Sequence, residues 1–137
     1  MTTSSSKREH NLELAAALLD WNRRHLRQGA PLDVALIGER FAPQFVVEAN
    51  GRRYEADRPA YLAFLEGFRR DIAQIDYRVH HRVADDNGVV LAMGAEVTRL
   101  DGRLDRFEAM LLLRFDAQGL LTLWHEVYLP APAAAAA

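Results

Sequence analysis

The C-terminal half of the chain contains four long runs of alternating residue types, separated only by short turns. Each turn carries the glycine, asparagine or aspartate residues that tight turns favour. Runs joined this closely are expected to pair as an antiparallel meander, because parallel strands need a much longer connection. The four predicted strands are residues 74–84, 89–100, 103–115 and 120–129.

The N-terminal half predicts helices instead. Ser6, followed by Glu9, forms a capping box that opens the first helix. A second helix is expected over residues 32–41, and Pro59 suits the first turn of a third. An Asn-Gly pair predicts a short hairpin between the last two helices. This order predicts an α+β domain, with three N-terminal helices packed on a curved antiparallel sheet.

These elements predict a single domain over residues 11–130. Residues 1–10 are polar and are expected to form a flexible N-terminus. Residues 131–137 contain only proline and alanine and are expected to be disordered. The chain has 137 residues, of which 50% are hydrophobic, so the domain can bury a substantial core.

The composition excludes several classes of function. A formal net charge of −2 argues against a nucleic-acid or anionic-membrane partner. The chain has no cysteine, which excludes disulfides and a cysteine nucleophile and suits a reducing cytoplasm. No secretory signal is visible, and the apolar runs are shorter than the roughly 18 residues of a membrane span. His80, His81 and His125 lack metal-ligand spacing, so no metal or other cofactor is expected.

The last predicted strand contains an unusual residue. Its alternation places Glu126 on the same face as Trp124 and Tyr128. A carboxylate between two aromatic residues either faces water or lines an apolar pocket. If it is buried, desolvation should raise its pKa, which is what a general acid or base at neutral pH requires.

Turn chemistry indicates which residues lie beside Glu126. If the Asp-Gly pair after the second strand forms a two-residue loop, Gly94 pairs with Ala109. The final loop then places Ala109 beside Glu126, and the first turn places His81 beside Gly94. Two small residues would separate His81 from Glu126, which predicts an apolar cavity with a few polar groups above the sheet.

Further residues are expected around this gap. Glu96 would share the face, so Glu126, Glu96 and His81 are the candidate catalytic residues. The two glutamates would have Cα atoms roughly 12 Å apart, which allows them to flank a ligand but not to share a proton. The expected ligand-binding residues come from the sheet and its covering helices: Trp21, Asn22, Tyr61, Leu65, Phe68, Gly94, Phe107, Ala109, Leu111, Trp124 and Tyr128.

The opposite face of the predicted sheet is also apolar. No further helix remains to cover it, and a large exposed apolar patch usually marks an interface. The sequence therefore predicts a homodimer packed sheet against sheet. The residues expected on this outer face are His80, Arg82, Val90, Met93, Ala95, Val97, Met110, Leu112, Arg114, Leu121, Leu123, His125 and Val127.

Several motifs resemble those of a known superfamily. They are Trp21-Asn22 followed by Asp33, Phe41-Ala42-Pro43 before Phe45-Val46-Val47, the hairpin at residues 115–119 and the closing residues 124–128. With the element order, they resemble the nuclear transport factor 2-like superfamily, and within it the SnoaL-like group of polyketide cyclases. The resemblance implies a cone-shaped, cystatin-like α+β fold around a deep pocket.

The resemblance allows enzyme types to be compared position by position. The acids of ketosteroid isomerases fall on Ala49 and Leu111, which argues against steroid isomerisation by that mechanism. The two acids of limonene-epoxide-hydrolase-like enzymes are matched by Glu126 and Glu96. The position of the arginine that bridges them holds Gly94, so epoxide opening lacks one of its three groups.

Polyketide cyclases of the SnoaL type are similar to this chain in using a pocket acid and a histidine, roles that Glu126 and His81 could fill. The sequence therefore predicts a protein that binds a small, mostly apolar molecule. A pocket carboxylate would serve as general acid or base in an isomerase, cyclase or hydrolase. The alternative is a non-catalytic ligand-binding or accessory dimeric module of the same fold, in which the glutamates are structural.

Overall fold

A computed structural model describes residues 3–132. Within this range the chain forms three helices and six strands. The helices are α1 (Thr3–His25), α2 (Val34–Ile37) and α3 (Arg58–Phe68). The strands are β1 (Phe41–Ala49), β2 (Arg52–Asp57), β3 (Ile72–Asp85), β4 (Gly88–Arg99), β5 (Leu104–Phe115) and β6 (Leu121–Pro130). Residues 133–137 of the predicted tail and residues 1–2 of the predicted flexible N-terminus lie outside the described range.

The strands form one sheet in the order β2-β1-β6-β5-β4-β3. Neighbouring strands are antiparallel except β1 and β6, which run parallel. α1 packs against β3, β4 and β5, and α3 packs against β1 and β2. The predicted α+β fold, with helices packed on a mainly antiparallel sheet, is confirmed. We call the face beneath the helices, which includes Leu91 and Leu111, the covered face. The outer face includes Met110 and Val127.

Side-chain caps mark the points at which α2 and α3 begin. Asp33 accepts a hydrogen bond from the Leu36 amide at 2.8 Å, and Asp57 accepts one from the Ala60 amide at 2.9 Å. α2 is a single turn, shorter than predicted, because β1 already begins at Phe41.

The ends of α1 differ from the prediction. The helix already includes Ser6, the predicted N-cap, and residues 3–10 are helical rather than a separate segment. At the other end, Arg69 Nη1 donates hydrogen bonds to the carbonyl oxygens of His25, Arg27 and Ala30, at 3.0, 3.0 and 2.7 Å. These bonds satisfy carbonyls near the helix end and tie α1 to the segment after α3. Among residues 3–132, no helix has the length and apolar character that crossing a membrane requires.

The loop between β4 and β5 contains one residue more than predicted. The Arg99 amide donates to the Arg103 carbonyl at 2.8 Å, so Leu100, Asp101 and Gly102 form the loop. Gly102 has a φ of +90°, the left-handed conformation that a three-residue hairpin loop requires of its glycine.

This longer loop reverses the faces predicted for β4. Gly94 pairs with Glu108 instead of Ala109. Because side chains alternate between the faces of a strand, a change of one residue in register moves all of them. The predicted placement of Gly94 and Glu96 beneath the helices is therefore wrong. The β4 residues buried in their place were predicted on the outer face: Met93, Ala95 and Val97.

A bulge in β3 also moves His81. The register between β3 and β4 shifts between Val79 and His81, so His81 pairs with Ala92 on the outer face. Tyr77 precedes the bulge and pairs with Ala95 on the covered face. The predicted inward position of His81 is therefore wrong, and the residue is exposed.

Candidate functional site

Glu126 lies on the covered face, near the middle of the sheet. It pairs with Leu111 of β5 on one side and with Ala49 of β1 on the other. The alternation of β6 places Trp124 on the same face, whereas Val127 is 55% exposed on the outer face. The sequence of β6 therefore directs the only carboxylate of this strand towards the helices rather than towards the outer face.

The surroundings of Glu126 favour its protonated form. Burial raises the pKa of this carboxyl above its ordinary value of 4.5, because the ionised form loses hydration among apolar neighbours. The indole N–H of Trp124 donates a hydrogen bond to Oε1 at 3.2 Å and acts in the opposite direction, since it stabilises the charge. Burial is the larger effect. Glu126 therefore keeps its proton to a higher pH than an ordinary glutamate.

Two tyrosines share this region with Glu126. Tyr61 comes from α3 and Tyr77 from β3. Burial raises the pKa of both phenols, and the charge of Glu126 raises each pKa further. Asn22 of α1 donates a hydrogen bond from Nδ2 to the Tyr77 hydroxyl oxygen at 3.1 Å. Elements that are distant in the sequence therefore bring the Asn22 amide and the Tyr77 phenol into contact, and the charge of Glu126 acts on both phenols.

Three aromatic side chains on the covered face keep some solvent-accessible surface. Tyr77, Trp124 and Tyr128 are only half-buried, although they lie beneath the helices. Tyr77 keeps some accessible surface, although burial raises the pKa of its phenol. The residues paired with Tyr77 and Tyr128 are Ala95 and Ala109, which both have small side chains.

Other predicted ligand-binding residues belong to the core. Trp21, Leu65 and Leu111 are 0–1% exposed, so they offer no surface to a ligand. The Trp21 indole N–H donates to the Leu36 carbonyl at 3.2 Å, which fixes α1 against α2. Phe107 is half-buried and packs edge-on against Tyr128, with ring centroids 5.7 Å apart.

Phe68 lies at the surface rather than inside. It is 44% exposed and stacks on Phe64, with ring centroids 5.9 Å apart. Phe64 in turn stacks on Tyr61 at 5.9 Å. The predicted ligand contact at Phe68 therefore lies at the outer end of a row of rings that leads inward to the buried Tyr61.

The predicted catalytic set is not brought together. Glu96 lies on the outer face and forms an ion pair with Arg106, with Oε2 and Nη2 3.5 Å apart. A Cβ on Gly94 would lie 3.2 Å from Glu108 Oε2, which also places this glycine on the outer side. Of Glu126, Glu96 and His81, the structure places only Glu126 beneath the helices. No role was predicted for Tyr77. The alternation of β3 before the bulge places it on the covered face, and this signal was available in the sequence.

The described residues were also compared with the ligand sets that metal ions require. In the described part of the chain, no group of three or more histidine and acidic side chains could hold a metal ion. The polar groups that interact with Glu126 are the Trp124 indole and the phenols of Tyr61 and Tyr77, which orient organic ligands rather than bind metals.

Comparison with known proteins defines the class. The SnoaL-like domain family matches residues 21–124, and the chain belongs to this family. This confirms the resemblance to SnoaL-like and nuclear transport factor 2-like proteins drawn from the sequence motifs. No curated protein matches the chain.

Solved structures share the fold at low sequence identity. An epoxide hydrolase from M. tuberculosis of the limonene-epoxide-hydrolase-like type has a TM-score of 0.70 and 15% identity to this chain. The match covers 88% of this chain and 79% of the hydrolase. A candidate polyketide cyclase from Acidithiobacillus ferrooxidans has a TM-score of 0.70 and 14% identity, covering 87% of each chain. A candidate ketosteroid isomerase from Kribbella flavida has a TM-score of 0.64 and 17% identity. The match covers 95% of this chain and 85% of the isomerase.

The burial of Glu126 predicts a pH-dependent stability. The folded chain holds this proton to a higher pH than the unfolded chain, so stability falls as pH rises above 4.5 and is fully retained only below it. Glu126→Gln should therefore be more stable than the wild type at pH 7, by about 1.4 kcal/mol for each unit of pKa displacement. Urea unfolding across this pH range measures the difference, which should vanish in acid.

Glu66→Gln is the matched control for this measurement. It removes one negative charge from an exposed position on α3. A stability difference between wild type and Glu126→Gln that stayed constant from acid to neutral pH would contradict the raised pKa of the half-buried Glu126.

Proposed function

We propose that this protein binds a small, mostly apolar organic molecule between its helices and the covered face, and that Glu126 exchanges a proton with it. The observation that carries the proposal is a carboxyl with a raised pKa on a covered, largely apolar face. Such a group is closer to the range in which a general acid or base works at neutral pH. The reactions open to this site are enolisation, isomerisation, cyclisation and water addition, none of which needs a cofactor.

The neighbours of Glu126 in the sheet support this proposal. Ala49 and Leu111 are the positions that the resemblance matches to the acids of ketosteroid isomerases, and Glu126 lies directly between them. The carboxyl therefore occupies the same part of the sheet from a different strand. Structural neighbours are described as an epoxide hydrolase, a candidate polyketide cyclase and a candidate ketosteroid isomerase, which supports small-molecule chemistry in this fold.

A second candidate function is a ligand-binding or accessory module without catalysis. The observation that favours it is the position of Glu96 and His81 on the outer face, which leaves Glu126 without the second acid or histidine that was expected. In that case the carboxyl would only shape the ligand site.

A cytoplasmic location remains a prediction from the composition alone.

Proton exchange on a simple ketone distinguishes the two candidates. We expect the wild type to catalyse exchange of the methyl hydrogens of acetophenone for deuterium in D2O, followed by NMR. Glu126→Gln removes the base and should lower the protein-dependent rate by about a hundredfold or more. Glu66→Gln should leave the rate unchanged. Binding of acetophenone with no exchange by the wild type would favour the non-catalytic module.

We also propose that two copies pack through their outer faces. Four residues of this face are more than half exposed and apolar: Val83 at 68%, Met110 at 54%, Val127 at 55% and Leu129 at 67%. A groove of about 210 Å³ lies beside the β3–β4 turn, between Val83 and Arg114. Exposed apolar surface of this kind is expected to be covered by a partner.

Sedimentation velocity tests this interface. We expect the wild type to sediment as a dimer at micromolar concentration. Met110→Asp would place a charge in the centre of the interface and should yield monomers. Val34→Asp, at a 40% exposed position at the start of α2, is the control and should remain dimeric. A monomeric wild type would contradict the proposal.

A further inference from the structure

The groove of about 210 Å³ on the outer face opens beside the turn between β3 and β4. Gly88 lies on its floor, between Asp85 of β3 and Arg114 of β5. A Cβ on Gly88 would lie 2.6 Å from the Leu113 carbonyl oxygen and 3.2 Å from Arg114 Cγ, so any side chain there would clash. The glycine therefore keeps the floor open between two residues of opposite charge.

The walls of the groove carry a row of branched aliphatic side chains. Val83 pairs with Val90, and Val90 pairs with Leu112 on the next strand, so the three lie side by side on the outer face. Such a row favours an aliphatic group, because contact removes apolar surface from water. The groove is smaller than the roughly 300 Å³ at which sites for drug-sized molecules begin, so a small occupant fits it.

Arg114 brings an unpaired positive charge to the groove. In the part of the chain that the structure describes, its guanidinium has neither an ion-pair nor a hydrogen-bond partner. Its stem packs over the floor, because a Cβ on Gly88 would meet Arg114 Cγ. A guanidinium in this position is suited to the carboxylate of a ligand, since its N–H groups match the two oxygens.

Asp85 supplies the opposite charge on the other side of the floor. Its Oδ1 accepts hydrogen bonds from the amides of Asn87 and Gly88, at 2.7 and 3.1 Å, which orient the carboxylate. Among residues 3–132, no cationic side chain pairs with it. Asp85 and Arg114 belong to the strands on either side of β4, so their Cα atoms are roughly 10 Å apart. The gap between the two charges is therefore wide enough to admit a ligand.

We infer that this groove binds a free α-amino acid with a branched aliphatic side chain, whose carboxylate contacts Arg114 and whose ammonium contacts Asp85. A zwitterion matches both charges, whereas a fatty acid or an alkylamine would leave one of them unmatched. The aliphatic side chain of the ligand would lie along Val83, Val90 and Leu112. This inference does not depend on the function proposed for the covered face.

The groove is separate from the centre of the proposed dimer surface. Met110, Val127 and Leu129 lie on β5 and β6, whereas the groove lies at the end of the sheet that the β3–β4 turn forms. All residues that line the groove belong to one chain. Met110→Asp, which should yield monomers, should therefore bind the amino acid as tightly as the wild type.

Chemical-shift titration of the 15N-labelled protein tests the site. Three probes share a branched aliphatic body: L-leucine, 4-methylpentanoate, which lacks the ammonium, and 3-methylbutylamine, which lacks the carboxylate. We expect leucine to shift the backbone amides of Asn87, Gly88 and Val90. Leucine should bind about threefold or more tightly than either of the other two, since each loses one ion pair. Glycine, which lacks the aliphatic side chain, should also bind more weakly than leucine.

Two substitutions separate the contributions of the charges. Arg114→Gln should weaken binding of leucine and 4-methylpentanoate by about threefold or more and leave binding of the amine unchanged. Asp85→Asn keeps an oxygen that can accept from the amides of the turn, and it should weaken binding of leucine and the amine only. Arg82→Gln and Asp86→Asn are the matched controls. Neither residue lines the groove, so both variants should bind all the probes as the wild type does.

Three results would overturn this inference. The groove amides might show no shift with leucine at its solubility limit, or all the probes might bind with equal affinity in the wild type. Groove amides that respond to protein concentration instead of leucine would identify a second copy of the chain as the occupant. None of these results bears on the proposed function, because its test measures proton exchange by Glu126.

Discussion

The length of the loop between β4 and β5 determines which side chains the helices cover. Leu100, Asp101 and Gly102 separate Arg99 from Arg103, and the left-handed Gly102 closes the turn. Since a strand alternates its faces with every residue, this count places β4 in one of two orientations relative to β5. The adopted orientation buries apolar residues of β4 and exposes the charge of its glutamate. The positions of Gly94 and Glu96 on the outer face follow from it.

The fold removes part of the hydration of the Glu126 carboxyl, which disfavours its ionised form. Burial raises its pKa, and the Trp124 indole only partly offsets the effect. Retaining such a group costs stability at neutral pH, a pattern typical of functional sites. Burial also opposes ionisation of the nearby Tyr61 and Tyr77 phenols and so raises the pKa of both.

The sequence predicted what depends on neighbouring residues along the chain. The second and third helices begin within two residues of the predicted positions, at Val34 and Arg58. The face of Glu126 follows from alternation within one strand. The sides occupied by Gly94 and His81 depend on a loop length and a bulge. An Asp-Gly pair fits hairpin loops of two or three residues, so local chemistry does not distinguish them. The parallel pairing of β1 with β6, which brings Ala49 beside Glu126, joins segments that no turn connects.

The pKa of Glu126 in the folded protein tests the central claim most directly. Glutamate labelled with 13C at the carboxyl carbon can be titrated by NMR, with Glu126→Gln identifying the resonance. The structure predicts a midpoint above 4.5, because burial outweighs the Trp124 hydrogen bond. Trp124→Phe should move it higher still by removing that bond. A midpoint at or below 4.5 in the wild type would contradict the description of Glu126 as a half-buried carboxyl with a raised pKa.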